Sequence, residues 1–136
     1  MMIKVIRLGE SNYPYLLAQI PDAPPVVYVK GSLEPEDRRA IAVVGTRKPT
    51  MYGRQVTRDL VTGLVKEGFT IVSGLARGID GEAHLAAIKA GGRTIAVLAH
   101  GLDLIYPPEH RWLAAEVVKF GALVSEFAEG VKIEKY

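Results

Sequence analysis

The chain has 136 residues, of which 49% are hydrophobic, so it is long enough to bury one core of its own. It contains no cysteine, and its three histidines are not at zinc-ligand spacing. Disulfides, thiolate metal sites and thiol nucleophiles are therefore excluded, and we expect no metal and no cofactor.

No apolar run reaches membrane-spanning length, and Lys4 and Arg7 interrupt the N-terminal stretch that a signal peptide would need. We therefore expect a cytoplasmic protein with no membrane partner. The net charge of +2 is too small to predict nucleic-acid binding, but it is unevenly distributed. The segment from Arg38 to Arg58 holds six basic side chains and no acidic one.

Residues 1–37 are predicted to form an N-terminal lead-in. It contains a short helix near Asn12–Ala18, a proline-rich turn and the strand-like sequence VVYVKG. Because it has too few apolar residues for a core of its own, we expect it to pack on a single core domain, residues 38–136.

The core begins with a β-rich apolar run, Arg39–Gly45, which is typical of a strand buried on both faces. The next segment, Met51–Glu67, has apolar residues at helical spacing, such as Val56 and Leu60. Thr50 is suited to cap this helix and Gly68 to end it.

The same alternation then repeats. The further predicted elements are strand Phe69–Val72, helix Gly81–Ala90, strand Thr94–Leu98, helix Arg111–Phe120 and strand Ala122–Ser125. Strands alternating with helices predict right-handed βαβ units and a Rossmann-like, doubly wound, mainly parallel sheet with helices on both faces.

In such folds, ligands bind where loops leave the carboxyl ends of the strands. Three loops follow strands here, and their polar residues are predicted to share one rim: Arg47, Lys48, Arg77, His100 and His110. Glycine-rich turns and helix N-termini present N–H groups that favour a phosphate or another anion. Neither a Walker A sequence nor the dinucleotide fingerprint is present, which makes a dehydrogenase a poor fit.

No catalytic triad or carboxylate pair can be assembled from these residues. Asp80 is predicted to cap a helix, and His84, within that helix, to be packed or hydrogen-bonded. Tyr52 and Tyr106 are suited either to stack on bases or to cover the wall of the crevice.

Four phrases occur in order along the chain: VVGTRKPTMYG, IVSGLARGIDGEAH, GGRTIAVLAHGLDLIYPPEH and GALVSEF. With the preceding NYPYLLAQIPDAPPVVYVKG, they resemble the successive motifs of the DNA-processing protein A (DprA/Smf) family. The resemblance covers nearly the whole chain, and several motifs in order are more specific than one glycine loop.

The resemblance implies a protein of natural transformation and recombination that binds single-stranded DNA in a basic pocket and helps to load the RecA recombinase. It also implies dimers or larger assemblies. The family's DNA-contacting arginine falls on Arg47. The full set of predicted DNA- or phosphate-binding residues is Gly45, Thr46, Arg47, Lys48, Tyr52, Gly53, Ser73, Gly74, Ala76, Arg77, Gly78, Tyr106 and Arg111.

Two departures from the family pattern matter. Where some members have a lysine after Tyr-Pro, this sequence has Pro108, so we expect Arg111 to replace that basic contact or the contact to be missing. Members also continue beyond the equivalent of SEFAEGVKIEKY, so we expect part of the family's DNA surface and self-association surface to lie outside this sequence. With about four core strands, one sheet edge would be open, and we expect either dimerisation through it or a lead-in folded over it.

Two other functions remain open. A sensor or carrier of a small nucleotide or phosphorylated ligand would use the same crevice. A nucleotide hydrolase of the cytokinin-activating type has a related fold, but its Pro-Gly-Gly-x-Gly-Thr loop is replaced here by SGLARGID. A protein that binds single-stranded DNA without catalysis is the leading hypothesis.

Overall fold

A six-stranded sheet lies at the centre of residues 2–132, the part of the chain that the computed structural model describes. The strands are β1 (Lys4–Arg7), β2 (Val26–Gly31), β3 (Ala40–Ala42), β4 (Thr70–Ser73), β5 (Thr94–Leu98) and β6 (Gly121–Ser125). Their order across the sheet is β1-β2-β6-β5-β4-β3. The strands from β3 to β6 run parallel, whereas β2 is antiparallel to both of its neighbours, which confirms the predicted Rossmann-like, mainly parallel sheet.

The helices lie on both faces of the sheet, as predicted, but very unequally. They are α1 (Tyr15–Ala18), α2 (Met51–Lys66), α3 (Ile79–Lys89) and α4 (Arg111–Phe120), with 3-10 turns at Pro35–Arg38 and Pro108–His110. Because the parallel strands are neighbours in sequence order, each right-handed crossover returns over the same face, and α2, α3 and α4 pack side by side there. From β3 to β6 the strands therefore follow one another in a single direction across the sheet, without the reversal of strand order that a doubly wound sheet has.

The alternation of side chains along the strands separates two cores. Ala96 and Leu98 of β5 pack with α4 residues such as Leu113, whereas Ile95 packs on the opposite face with Tyr13 and Val29 of the N-terminal segment. A third cluster lies beneath α2 and α3, where the small side chains of α3 are buried. Its members are Val61, Ile71, Ala83, Ala86 and Ala87.

The N-terminal segment contributes two strands that were not counted among the four predicted core strands. β2 pairs antiparallel with β6, with Tyr28 opposite Ser125 and Gly31 opposite Ala122. The edge of β6 is thus covered by the lead-in, the second of the two arrangements that were expected. The division into residues 1–37 and 38–136 stays a prediction, and its end at residue 136 lies outside the described residues.

The predicted strand Arg39–Gly45 is wrong in length and burial. β3 spans only Ala40–Ala42, and Val44 is 68% exposed. The physical reason is its position: β3 is the last strand of the described sheet, and Ala40 and Ala42 face an open apolar groove rather than a packed helix layer.

α2 begins at Met51 as predicted and ends at Lys66, one residue earlier than predicted, but its buried face is rotated. The Thr50 hydroxyl accepts a hydrogen bond from the Gly53 N–H at 3.0 Å, and Gly68 has φ +86° just after the helix. Val61 is buried, whereas Val56 and Leu60 are 43% and 54% exposed. α2 is the outermost of the three large helices, and on the side away from α3 no helix of residues 2–132 lies beside it. None of the helices in residues 2–132 has the length and hydrophobicity to cross a bilayer.

Candidate functional site

A pocket of about 220 Å³ opens where the loops leave the carboxyl ends of the parallel strands. Its lining comes from the loops after β3, β4 and β5, where the fold places ligand sites. The lining residues are Arg47, Gly74, Ala76, Arg77, Val97, Leu98, Ala99, His100, Tyr106 and Pro107. None of these lining residues is acidic, and two of them are arginines.

The loop after β3 rests on the beginning of α3. The Ile79 N–H donates to the Thr46 carbonyl at 3.1 Å. Gly78 has φ +82°, and a Cβ there would collide with the Thr46 carbonyl oxygen and lie 2.8 Å from the Arg47 Cα. Only glycine fits this close approach of two backbones, and the approach sets Arg47 at the rim of the pocket.

The loop after β4 is fixed by several hydrogen bonds that involve its backbone. The Ser73 hydroxyl donates to the Val43 carbonyl at 2.6 Å, and the Gly81 N–H donates to the Ala76 carbonyl at 3.1 Å. The Asp80 carboxylate accepts the Gly74 N–H at 3.0 Å. The prediction that Asp80 caps α3 is wrong, because Gly78 is the capping residue and Asp80 is turned back to hold the loop.

His84 is packed and hydrogen-bonded, as predicted. It is fully buried and bonded to the Leu75 N–H and the Thr94 hydroxyl. Burial, with a smaller contribution from nearby His110, lowers the pKa of His84 to about 3. The ring is therefore neutral at ordinary pH and acts as a structural group.

Arg77 reaches the pocket but already has a partner. Its guanidinium donates to both oxygens of Glu109, at 2.8 and 3.2 Å, and lies 5.6 Å from the centre of the Tyr106 ring. The hydrogen bond from Arg77 is the main cause that lowers the pKa of Glu109 to about 2. An anion entering the pocket would have to share Arg77 with this carboxylate.

Arg47 and Lys48 are exposed, and neither forms a salt bridge within residues 2–132. The other four cations of the basic segment all have partners. Arg38 lies over Tyr15, Arg39 lies over Phe69, and Arg54 and Arg58 both bind Glu82. Within this segment, Arg47 and Lys48 of the first loop are therefore the cations with neither a carboxylate nor an aromatic partner among residues 2–132.

The structure brings together five of the predicted site residues in the pocket: Arg47, Gly74, Ala76, Arg77 and Tyr106. Four others support the loops, namely Gly45, Thr46, Ser73 and Gly78. Tyr52 and Gly53 lie in the first turn of α2, Lys48 beside Arg47, and Arg111 at the start of α4, and none of these four lines the pocket. No observation of a bound ligand tests their roles, which stay predictions.

Sequence reasoning left part of the pocket out of its set of site residues. Val97, Leu98, Ala99 and Pro107 line the wall, together with His100, which had been placed only on the rim. The available signal was that β5 is a central parallel strand, so its carboxyl end had to contribute to the crevice. His110 does not line the pocket, but its Nδ1–H donates to the Leu75 carbonyl at 2.8 Å.

A family model described as DNA recombination-mediator protein A matches residues 4–136. The chain belongs to this family. Among its relatives, protein Smf of Synechocystis sp. is 47% identical over 130 residues, covering 93% of this chain and 33% of the relative. The DNA processing protein DprA of Bacillus subtilis is 44% identical over 135 residues, covering 98% of this chain and 46% of the relative.

Two solved structures of the family have the same fold. The DNA processing protein A of Streptococcus pneumoniae superposes with a TM-score of 0.86 at 34% identity, covering 98% of this chain and 47% of that one. The DNA processing protein A of Helicobacter pylori, described as having a unique single-stranded DNA binding mode, gives 0.83 at 30% identity, covering 98% and 59%. The chain spans about a quarter to a half of the length of the curated relatives it matches.

Proposed function

We propose that this chain binds single-stranded DNA through its phosphates, with Arg47 as the principal contact. The observation that carries the proposal is the pocket built by three loops, where Arg47 stands at the rim without an acidic partner among the described residues. Phosphate contacts supply most of the sequence-independent affinity for nucleic acid. The glycine-rich loops bring the backbone close enough to support such a contact.

The size of the pocket favours a polymer over a free cofactor. About 220 Å³ is below the range of roughly 300–1,000 Å³ that is usual for small-molecule sites. One phosphate with part of its nucleotide fits, while the rest of a strand would run over the surface past Arg47 and Lys48. A carrier of a whole nucleotide would need a more enclosed site, so it is the second candidate.

The family comparison supports the same ligand. The Helicobacter pylori relative is described as binding single-stranded DNA, and its similarity to this chain extends over 98% of the chain. The loops that form the pocket therefore lie within the matched region.

The proposal includes no bond-making or bond-breaking step. His100 uses its Nδ1–H on the Gly101 carbonyl, and His110 uses its own on Leu75. Neither histidine is bonded to a carboxylate or to a hydroxyl that could act as a nucleophile within residues 2–132. Binding and protection of the strand are the roles that these groups can serve.

The proposal also includes wider roles, which rest on the family resemblance. They are delivery of the strand to a RecA-type recombinase, in the cytoplasm where the DNA lies, and assembly as a homodimer. The sheet edge at β3 offers a surface for assembly, because no described strand pairs with its outer side.

The test is a titration of a fluorescent single-stranded oligonucleotide with the protein at several salt concentrations. The logarithm of the affinity should fall linearly with the logarithm of the salt concentration. Arg47→Ala should weaken binding about tenfold and make the slope shallower by roughly 0.7, the share of one phosphate contact on a single strand. Lys89→Ala is the matched control, since Lys89 is an exposed cation at the opposite end of α3.

Equal losses for Arg47→Ala and Lys89→Ala would contradict the proposed site, because they would mean that only total charge matters. A mononucleotide that displaces the oligonucleotide at micromolar concentration would favour the carrier instead. Release of a free base from a nucleoside monophosphate would support the nucleotide hydrolase as the function.

A further inference from the structure

Leu75 is in an unusual conformation at the centre of the second loop. Its φ is +64°, and no other non-glycine residue among those described has a positive φ. This left-handed region is unfavourable for a leucine, so the surrounding contacts must impose it. Leu75 lies between Gly74 and Ala76, which both line the pocket.

One contact that imposes it comes from His84 of α3. The Leu75 N–H donates to His84 Nε2 at 3.2 Å, so this nitrogen must be unprotonated. The Nδ1–H of the same ring then donates to the Thr94 hydroxyl at 2.6 Å, and that hydroxyl donates to the Ile71 carbonyl at 3.0 Å. This chain of hydrogen bonds fixes the tautomer and connects the loop to β4 and β5.

The other contact comes from His110, which follows the third loop. Its Nδ1–H donates to the Leu75 carbonyl at 2.8 Å. The ring lies against Gly81, where a Cβ would stand 2.9 Å from the His110 Cε1. His110 belongs to the 3-10 turn directly after Pro107, a lining residue, so this bond connects the second loop of the pocket to the third.

We infer that His84 and His110 are positioning residues that hold the two peptide groups of Leu75 and thereby set the shape of the DNA pocket. The inference rests on the proposed function for its effect on DNA. Neither ring lines the pocket, so both act through the loop. Rotation of either peptide group would move the Gly74 and Ala76 backbone and shift the point from which Arg77 extends.

His110 allows the sharper test because it is only partly buried. His110→Asn places an amide N–H where Nδ1–H stands and keeps the donor, whereas His110→Leu removes the donor and leaves the Leu75 carbonyl without it. We expect His110→Leu to weaken oligonucleotide binding about tenfold, the loss expected for one hydrogen bond near the upper end of its usual net contribution. His110→Asn should stay within about threefold of the wild type by the same reasoning.

Both variants are compared at a temperature where circular dichroism shows them fully folded, so a loss of stability alone would not change the affinity. The inference would be overturned if both variants bound the oligonucleotide as tightly as the wild type. An equal loss of affinity in both variants would overturn it as well. The first result would make the bond irrelevant, and the second would make the ring, rather than its donor, the important feature.

Amide hydrogen exchange tests the positioning without DNA. His110→Leu should increase exchange at the Leu75 and Gly81 amides about tenfold, and His110→Asn should not. Unchanged exchange in His110→Leu would overturn the inference even if that variant bound DNA more weakly. Failure of the wild type to bind DNA, with these exchange changes present, would instead remove the proposed function and leave the loop-positioning role. For His84, a nitrogen NMR spectrum of the ring that shows the Nε2–H tautomer at pH 7 would overturn the proposed positioning role of this residue.

Discussion

The basic residues of the first loop and those of α2 differ in what faces them. Arg47 and Lys48 have no acidic partner within residues 2–132, whereas Arg54 and Arg58 share the carboxylate of Glu82 at 2.9 and 3.0 Å. Both groups belong to one run of six basic side chains in the sequence. The sequence of a basic stretch gives the number of cations, whereas the tertiary structure determines which of them are paired with a carboxylate and which remain available to a ligand.

Glu82 shows how the fold makes this selection. It lies in α3, more than 20 residues after the arginines that it binds, and its side chain is only 12% exposed. Burial alone would raise the pKa of Glu82, but hydrogen bonds from Arg58 and Arg54 outweigh burial and lower it. The carboxylate therefore stays charged at neutral pH and offsets part of the charge on α2.

The largest effect is expected from removing both cations of the first loop. Arg47→Ala combined with Lys48→Ala should weaken binding of single-stranded DNA about a hundredfold at low salt. The slope of log affinity against log salt should become shallower by roughly 1.4, because two phosphate contacts are lost. Fluorescence titration at four or more salt concentrations measures both quantities.

A matched double substitution on the other group is the control for this prediction. Arg54→Ala with Arg58→Ala removes the same formal charge from α2. A similar slope change in the two double variants would contradict the distinction between partnered and unpartnered cations. Such a result would mean that all the cations of the basic segment contribute to DNA binding alike, whether or not they are paired with a carboxylate.

A smaller effect is expected at Arg77, which is intermediate between the two groups. It lines the pocket but donates two hydrogen bonds to Glu109. Glu109→Gln keeps the size of the side chain and removes its charge, so it should strengthen DNA binding about threefold by making Arg77 available to phosphate. Competition titration against the wild type measures the gain.

The pH dependence of this gain follows from the pKa of Glu109. Arg77 lowers that pKa to about 2, so Glu109 remains ionised in the free protein from pH 8 down to pH 5. The ratio between the Glu109→Gln and wild-type affinities should stay constant across this range. A ratio that falls well below its pH 8 value when the titration is extended to pH 4, just below the ordinary glutamate pKa of 4.5, would show that Glu109 titrates normally and that the pair with Arg77 is not formed in solution.

Much of the fold could be predicted from local patterns, because β5 and α4 have the predicted limits and their apolar residues form the core. The short length of β3 could not, since the apolar run does not reveal that its strand lies at the edge beside an open groove. The pairing of β2 with β6 joins segments about ninety residues apart, so no local pattern contains it.

The candidate site divides in a similar way. The loops and Arg47 followed from glycine spacing and from the sheet rule, and they do meet in one pocket. The roles of Asp80 and Glu82 did not follow, because both depend on partners that only the tertiary structure brings near. The left-handed Leu75 was equally hidden, since a leucine gives no sequence signal for that conformation.

The smallest effect is expected from the single substitution Arg58→Ala. Glu82 would then keep Arg54 as its partner, and the α2 surface would lose one cation that was already hydrogen-bonded to a carboxylate. DNA affinity should therefore fall less than about twofold, and the salt slope should stay within error of the wild type. A loss as large as that of Arg47→Ala would require the DNA phosphate to displace Glu82 from Arg58. In that case the DNA phosphate would compete with Glu82 for Arg58, and Glu82→Gln would have to strengthen binding as much as Glu109→Gln does.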